Sequence, residues 1–274
     1  MNRSADSPSG MASFPQNGDF LSLLPRSPLA QLPSLSPERP GELHGTTVFA
    51  FHCAEGVIVA GDHRATAGNV VFSDKTEKIL ELDAHSLLAV AGSPAFAFEM
   101  GRMLQTTFEF YRRSQLQPLS LAAKVRALTR LLRENLPATL QGVGAVAPLF
   151  VGAEAAQPGK KPGIYFYDPF GAQFEATEFA ASGSGAGAIK SILHYLTEWG
   201  DEEKPGTLSL KKAVVLANRL LMTASEFDTA TGGINPPSGS FATLLLLTPE
   251  GVRPVAAREQ ESMWMRSERG GRDD

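Results

Sequence analysis

A single cysteine, Cys53, stands among 274 residues. No internal disulfide can form, and the composition fits a reducing compartment. Histidine is nearly as scarce. His44, His52, His63, His85 and His194 include no pair at metal-ligand spacing, and Cys53 has no cysteine partner. His52 and Cys53, adjacent on a strand, face opposite sides. No metal site is expected. Basic residues are outnumbered, 25 against 29 acidic ones, leaving a net charge of −4. Nucleic acid is therefore not expected as the main partner, since phosphate binding needs a basic face. No apolar run approaches the roughly 18 residues of a membrane span. The longest, such as "LLLL" at 244–247, have strand length. The first residues lack the charged opening and apolar core of a secretory signal, so the expected location is cytoplasmic. There is also no G-x-S-x-G, the mark of a nucleophile elbow.

The residues that are present suit a globular protein with a sizeable core: 43% are hydrophobic and 20% charged. Residues 1–45 stand apart. They are rich in Ser, Pro and Gly, with prolines at 8, 15, 25, 28, 33, 37 and 40, too dense for a helix or a central strand. Composition alone predicts a tail or linker, with Leu21, Leu23, Leu24, Leu29 and Leu32 available to dock on a surface.

From Thr46 the texture changes. "TTVFAFHC" and "GVIVAG" predict a hairpin, "NVVFS" a further strand, and "KILEL" and "SLLAVAG" a second hairpin, giving five β segments before any helix. A helix is predicted over 94–115, with Phe96, Met100, Met103, Leu104 and Phe108 at helical spacing as core residues. Ser120 can cap a second helix striped by Leu121, Val125, Leu128 and Leu132. Strands follow at 147–154, 163–169 and 174–182. Two more helices are predicted at about 185–199 (Ile189, Ile192, Leu193 and Leu196 inward) and 209–226 (Ala213, Leu216, Leu220 and Ala224 inward). "FATLLLLTP" and "GVRPVAA" close the domain as strands. The charged tail 258–274 reads as loose, anchored in part by Met263 and Trp264. Hairpins dominate, so the sheets should be largely antiparallel. Two helix pairs and two sheets predict an α+β layered sandwich with helices outside and sheets between.

Two stretches carry candidate chemistry. "SGSGAGA" places Gly183, Gly185 and Ala188 as G-x-G-x-x-A between a strand and a helix, the form of a dinucleotide-binding turn. A Rossmann unit would continue into a parallel strand ending in an acidic residue. Here the acids at 201–203 sit in the loop-like "GDEEKPG", so glycines serving a tight turn are the better reading. The second stretch is "HGTTVFAF". A free N-terminal threonine joins nucleophile and base in one residue. Its α-amine has an ordinary pKa of about 7.7–8, suited to a base at neutral pH. The β-methyl restricts the rotamer. Such a residue works only after a leader is removed, and residues 1–45 are the candidate leader. Gly45 leaves its carbonyl open to attack by the Thr46 hydroxyl, so the chain could cut itself between Gly45 and Thr46. Asp62, at the turn after "GVIVAG", and Lys78, opening "KILEL", fit this scheme. A cation near the threonine would lower the amine pKa, and a carboxylate would keep that cation charged and oriented.

Taken together and in order, these motifs resemble the proteasome β subunits of bacterial 20S core particles, over nearly all of 46–257. The resemblance implies a four-layer α-β-β-α sandwich of the N-terminal-nucleophile hydrolase type. It also implies a threonine endopeptidase that degrades unfolded proteins. "GVIVAGDHRATAGN" places the family's catalytic aspartate on Asp62 and "KTEKI" its lysine on Lys78. "VAGSPA" places the oxyanion glycine on Gly92, "SGSGAGA" a serine on Ser184, and "EFDTATGG" an aspartate and a hydroxyl on Asp228 and Thr231. By the same resemblance, Ala65, Thr76, Leu80, Val90, Pro94 and Phe98 line the substrate pocket. That set has no fixed charge and should favour cleavage after apolar residues. No cofactor is implied. The implied partners are copies of the chain in a heptameric ring, α-subunit rings, and a regulatory ATPase acting through them. The alternatives are the subunit of the simpler two-ring ATP-dependent protease, a non-catalytic ring-building subunit, and a dinucleotide-binding protein. The first usually has a shorter chain and a minimal leader. The second would lack Thr46, Asp62 or Lys78.

Overall fold

The segment TVFAFH forms strand β1 (Thr47–His52), and its side chains divide between two cores. Val48 and Ala50 enter one apolar cluster, Phe49 and Phe51 the other. The same division holds for β2 (Val57–Gly61), where Val57 and Val59 face one way and Ile58 and Ala60 the other. It holds again for β11 (Thr243–Thr248). Strands buried on both faces carry unbroken apolar runs, which is why "VIVA" and "LLLL" show no alternation. The structure is a computed structural model that describes residues 46–67, 70–154, 160–201 and 203–270, all within the unit Gly41–Asp274. The leader expected over 1–45, its cleavage-site Gly45, and residues 271–274 of the tail lie outside the described residues.

Two five-stranded antiparallel sheets stack face to face. The first has the order β10–β1–β2–β11–β12, with β10 spanning Phe179–Gly183 and β12 Gly251–Pro254. The second is β5–β6–β7–β8–β9, formed by Ile79–Asp83, Ser86–Ala89, Leu149–Gly152, Gly163–Tyr167 and Gln173–Ala176. Between them lies a core of Val48, Val59, Leu87, Leu149, Val151, Ile164 and Leu247. Helices α1 (Pro94–Gln115) and α2 (Leu121–Glu134) cover the outer face of the second sheet. Helices α4 (Ala186–Glu198) and α5 (Leu210–Phe227) cover that of the first. A short α3 (Leu136–Leu140) follows α2. This is the four-layer α-β-β-α sandwich that the sequence predicts.

Local chemistry accounts for the elements. Pro94 opens α1, where a missing N–H costs nothing. Ser120 caps α2, its hydroxyl accepting from the Ala123 N–H at 3.3 Å. The predicted stripe Leu121, Val125, Leu128 and Leu132 is buried, each side chain contributing about 1.5–3 kcal/mol relative to exposure.

Four details differ from expectation. A three-residue strand, β3 (Ala65–Ala67), pairs with β4 (Val70–Ser73), so among the described residues six strands precede α1 rather than five. Met103, expected in the core, is 44% exposed, because α1 turns Ala97, Met100, Gly101, Leu104 and Phe108 inward. The stretch 174–182 is not one strand. β9 ends at Ala176 on the second sheet, the chain bends at Thr177 and Glu178, and β10 joins the first sheet beside β1. The Glu178 carbonyl accepts from the His52 N–H at 3.1 Å, pinning that crossover. The tail, expected to be loose, forms α6 (Ala257–Gly270) against α5. Gln260 anchors it, donating to the carbonyls of Ala242 and Val255 and accepting from Asn218. Met263 packs on the core, and the Arg219 guanidinium lies 5.9 Å from the Trp264 ring centre.

Candidate active site

Thr46 sits at the mouth between the sheets, where the ends of β2 and β10 flank the start of β1. Registers Thr47↔Gly183 and Val48↔Gly61 set its position. The Thr46 carbonyl accepts from the Ser184 N–H at 3.0 Å. That approach requires Gly183. Its φ is +101°, and a Cβ there would stand 1.7 Å from the Thr46 carbonyl oxygen. Continued one residue beyond β1, strand alternation directs the Thr46 side chain to the side of Val48 and Ala50, the inter-sheet side. Lys78, immediately before β5, and Gly92, after β6, are contributed by the facing sheet.

Asp62 and Lys78 form a buried ion pair, Nζ to Oδ1 at 2.6 Å, with side chains 0% and 2% exposed. Asp62 is fully used. Oδ1 also accepts from the Thr47 N–H at 2.9 Å, while Oδ2 accepts from the N–H groups of Arg64 at 3.0 Å and Gly232 at 2.7 Å. Lys78 also donates to the Arg64 carbonyl. Burial pushes the Lys78 ammonium below the usual lysine range. Asp62, and Asp228 farther away, work against that shift, while Arg64 adds to it.

Opposite this pair, Asp228 ends α5. Its Oδ2 accepts from the Thr231 hydroxyl at 2.6 Å and its Oδ1 from the Ala230 N–H at 3.1 Å. Burial would raise its pKa, but hydrogen bonds from Ser184, Thr231 and Ala230, with the Lys78 charge, hold it below the ordinary aspartate range. The structure thus brings Thr46, Asp62, Lys78, Ser184, Asp228 and Thr231 to one end of the sandwich. Gly92 lies at the same end, with φ +106°. The ladder bonds around it are made by Ala91 and Ser93 to the segment 145–147, so its own N–H is not used in them.

The pocket residues divide into two groups. Val90, Leu80 and Phe98 share the apolar cluster under α1, which Pro94 begins. Ala65 and Thr76 lie on the β2–β5 connection, where the Thr76 N–H donates to the His63 carbonyl. Three groups escaped the sequence reading. They are Thr47, fully buried; Arg64, whose backbone serves both Asp62 and Lys78; and the Gly232 N–H. Only the position of Thr47, one residue beyond the candidate nucleophile, offered a signal.

The glycines of "SGSGAGA" have local uses. Gly183 admits Thr46, and the Gly185 N–H donates to the Thr47 hydroxyl oxygen at 3.0 Å. Since β10 pairs antiparallel to β1, the stretch does not belong to a parallel dinucleotide-binding unit. Among the described residues no group of three or more His, Cys, Asp or Glu could hold a metal, and no helix is long and apolar enough to cross a membrane.

Residues 42–235 match the family of proteasome subunits. The chain belongs to that family. Similar proteins include a proteasome subunit beta of Stackebrandtia nassauensis, 33% identical over 93% of this chain and 95% of that one. Another is proteasome subunit beta 2 of Thermomonospora curvata, 35% identical over 88% and 84%. A third is proteasome subunit beta 1 of Streptomyces avermitilis, 34% identical over 80% and 75%.

Proposed function

We propose that the chain is the proteolytic β subunit of a proteasome core and a threonine endopeptidase with Thr46 as nucleophile. One observation carries this reading: the buried Asp62–Lys78 pair and the Ser184–Asp228–Thr231 cluster meet on either side of residues 46 and 47. A ring-building subunit without activity would have no use for a buried ammonium at that point, where it costs stability.

In the uncut chain the Thr46 hydroxyl attacks the Gly45 carbonyl carbon; the Gly45–Thr46 C–N bond breaks, the Thr46 nitrogen takes the hydroxyl's proton to become a free amine, and water hydrolyses the resulting ester to release residues 1–45 and restore the hydroxyl. In the mature chain the hydroxyl oxygen attacks the scissile carbonyl carbon while its proton passes to the Thr46 amine. The Gly92 N–H stabilises the oxyanion. Collapse of the intermediate expels the new peptide amine, which takes that proton, and leaves an acyl ester that water hydrolyses. Lys78 favours the neutral amine by charge, and Asp62 holds Lys78 in place. The family and its relatives' names support assembly into proteasome rings with α subunits; in this reading the substrates are unfolded chains and a regulatory ATPase supplies them through the α rings. The uncharged set Ala65, Thr76, Leu80, Val90, Pro94 and Phe98 supports cleavage after apolar residues.

Intact mass and N-terminal sequencing of the assembled protein test the central point. The expected start is Thr46, and Thr46→Ala should retain residues 1–45 and lack peptidase activity. Normal turnover by that variant would refute the reading. Fluorogenic peptides ending in a large apolar, a basic or an acidic residue test the pocket; a dominant rate on the basic peptide would overturn the apolar preference.

A further inference from the structure

The residue after the candidate nucleophile is tied down at its N–H, its carbonyl and its hydroxyl. Thr47 is 0% exposed. Its N–H donates to Asp62 Oδ1, the same oxygen that holds Lys78. Its carbonyl accepts from the Asp62 N–H at 3.2 Å. Its hydroxyl oxygen accepts from the Gly185 N–H at 3.0 Å and lies 2.6 Å from the Thr231 hydroxyl.

Donor and acceptor capacity fixes the direction of these bonds. An ionised Asp228 can only accept, so the one proton of the Thr231 hydroxyl goes to Asp228 Oδ2 at 2.6 Å. The Thr231 oxygen is left as an acceptor toward Thr47. The Thr47 hydroxyl therefore donates to Thr231, and its own oxygen takes the Gly185 N–H. A one-way chain results: Gly185 N–H to Thr47, Thr47 to Thr231, Thr231 to Asp228. Strand alternation sets this chain on the helix side of the sheet, opposite the face of the Thr46 side chain. Thr47 does not touch the reacting atoms by this geometry. It links the two charged clusters on either side of them, Asp62–Lys78 through its backbone and Asp228 through its side chain.

We propose that Thr47 is a positioning residue, whose hydroxyl fixes the angle of Thr46 by joining it through Thr231 to Asp228. This inference rests on the reading of Thr46 as nucleophile and deepens it. A hydroxyl is needed and a methyl alone does not serve. Valine fills the same volume but strands the Gly185 N–H and removes the donor to Thr231. Among the described residues, the charged groups around residues 46 and 47 are Asp62 and Lys78 on one side, with Arg64 beside them, and Asp228 on the other, so loosening the link to Asp228 should also alter the titration of the Thr46 amine.

The test compares Thr47→Val, Thr47→Ala and Thr47→Ser in the full chain, assembled with its partner subunits. The readouts are kcat, KM and the pH profile of kcat/KM on a fluorogenic peptide, with Thr46→Ala as control. Thr47→Val is expected to lower kcat by about tenfold or more with KM little changed, the pattern of an interaction made in the transition state. Its acid limb should shift, and Thr47→Ser should restore both. Wild-type kcat and pH profile in Thr47→Val, with Thr46→Ala inactive, would overturn this inference and leave the nucleophile reading standing. Activity in Thr46→Ala would remove both. Should Thr47→Val fail to fold, Thr47→Ala makes the same comparison without a new buried methyl. Failure of both to fold, with Thr47→Ser normal, would make the hydroxyl a structural strut and overturn the positioning role.

Discussion

Replacing Asp62 by Asn is the most revealing perturbation of the site, because the asparagine keeps the shape and cannot keep the bonds. Asp62 Oδ1 receives Thr47 N–H and Lys78 Nζ, and Oδ2 receives the N–H groups of Arg64 and Gly232. An amide has one oxygen, so whichever way it is turned, an NH2 group faces two donors. One orientation leaves Thr47 N–H and Lys78 unmet, the other Arg64 and Gly232. Breaking a buried ion pair costs about 3–5 kcal/mol, and each stranded N–H about 1–3 kcal/mol. Against a typical total of about 5–15 kcal/mol, the variant should fall near the edge of folding. The loss should depend on pH with a definite sign. Burial already depresses Lys78 below its ordinary 10.5, and removing Asp62 takes away the main group resisting that shift. The unfolded chain then binds the Lys78 proton more tightly than the folded one, so stability rises as pH climbs from the folded value to the unfolded one. Urea unfolding followed by circular dichroism at several pH values should show a deficit of at least about 4 kcal/mol at neutral pH that shrinks toward high pH. Asp62→Asn/Lys78→Met should recover much of it, because an apolar side chain needs no counter-charge. A deficit within about 1 kcal/mol, or a double variant worse than the single one, would refute the reasoning.

Lys124, buried in α2, meets Asp83 Oδ2 at 2.6 Å and lies 5.6 Å from the Phe108 ring centre. Lys124→Ala should cost about 3–5 kcal/mol and Lys124→Met much less, measured by thermal unfolding. Burial would raise the Asp83 pKa, but bonds from Lys124, Ser86 and His85 prevail and lower it. The stability the pair supplies is complete above 3.8 and lost as pH falls through the depressed value, so the gap between parent and Lys124→Met should close in acid. Gly183→Ala should lower both the peptidase rate and the melting temperature, measured by fluorogenic-peptide turnover and thermal unfolding, since the added carbon would stand 1.7 Å from the Thr46 backbone carbonyl oxygen and the left-handed backbone adds roughly 1–2 kcal/mol of strain. Gln260→Ala strands the Ala242 and Val255 carbonyls and should cost about 1–3 kcal/mol, seen as a lower unfolding midpoint with peptidase activity retained.

The sandwich was legible because periodicity marks layers. Unbroken runs such as "VIVAG" announce strands covered on both sides, and the leucine spacing of α2 announces a helix covered on one. The division of 174–182 was not legible. "FEATEFAAS" has no glycine or proline at its bend, and the bend comes from the chain's need to leave one sheet and join the other. Met103 misled for a related reason: helical spacing fits two adjacent stripes, and the facing strands choose between them. The tail's composition hides α6, whose anchor Gln260 is polar and so carries no hydrophobic signal. At the site, Asp62 and Lys78 were placed by motif, and their contact is seen only in three dimensions. Thr47 was overlooked because a threonine in a strand is ordinary, and its bonds reach residues more than a hundred positions away.

The crossover at Thr177 and Glu178 makes β10 the continuation of a strand that belongs to the opposite layer. Its far end, Gly183 and Ser184, grips Thr46. A sliding motion of one sheet over the other would therefore pull on Thr46 through a leash only a few residues long. On the proposed function, cutting power would then depend on the two layers holding together, and lengthening that leash by inserting residues at 177–178 is the direct way to separate them.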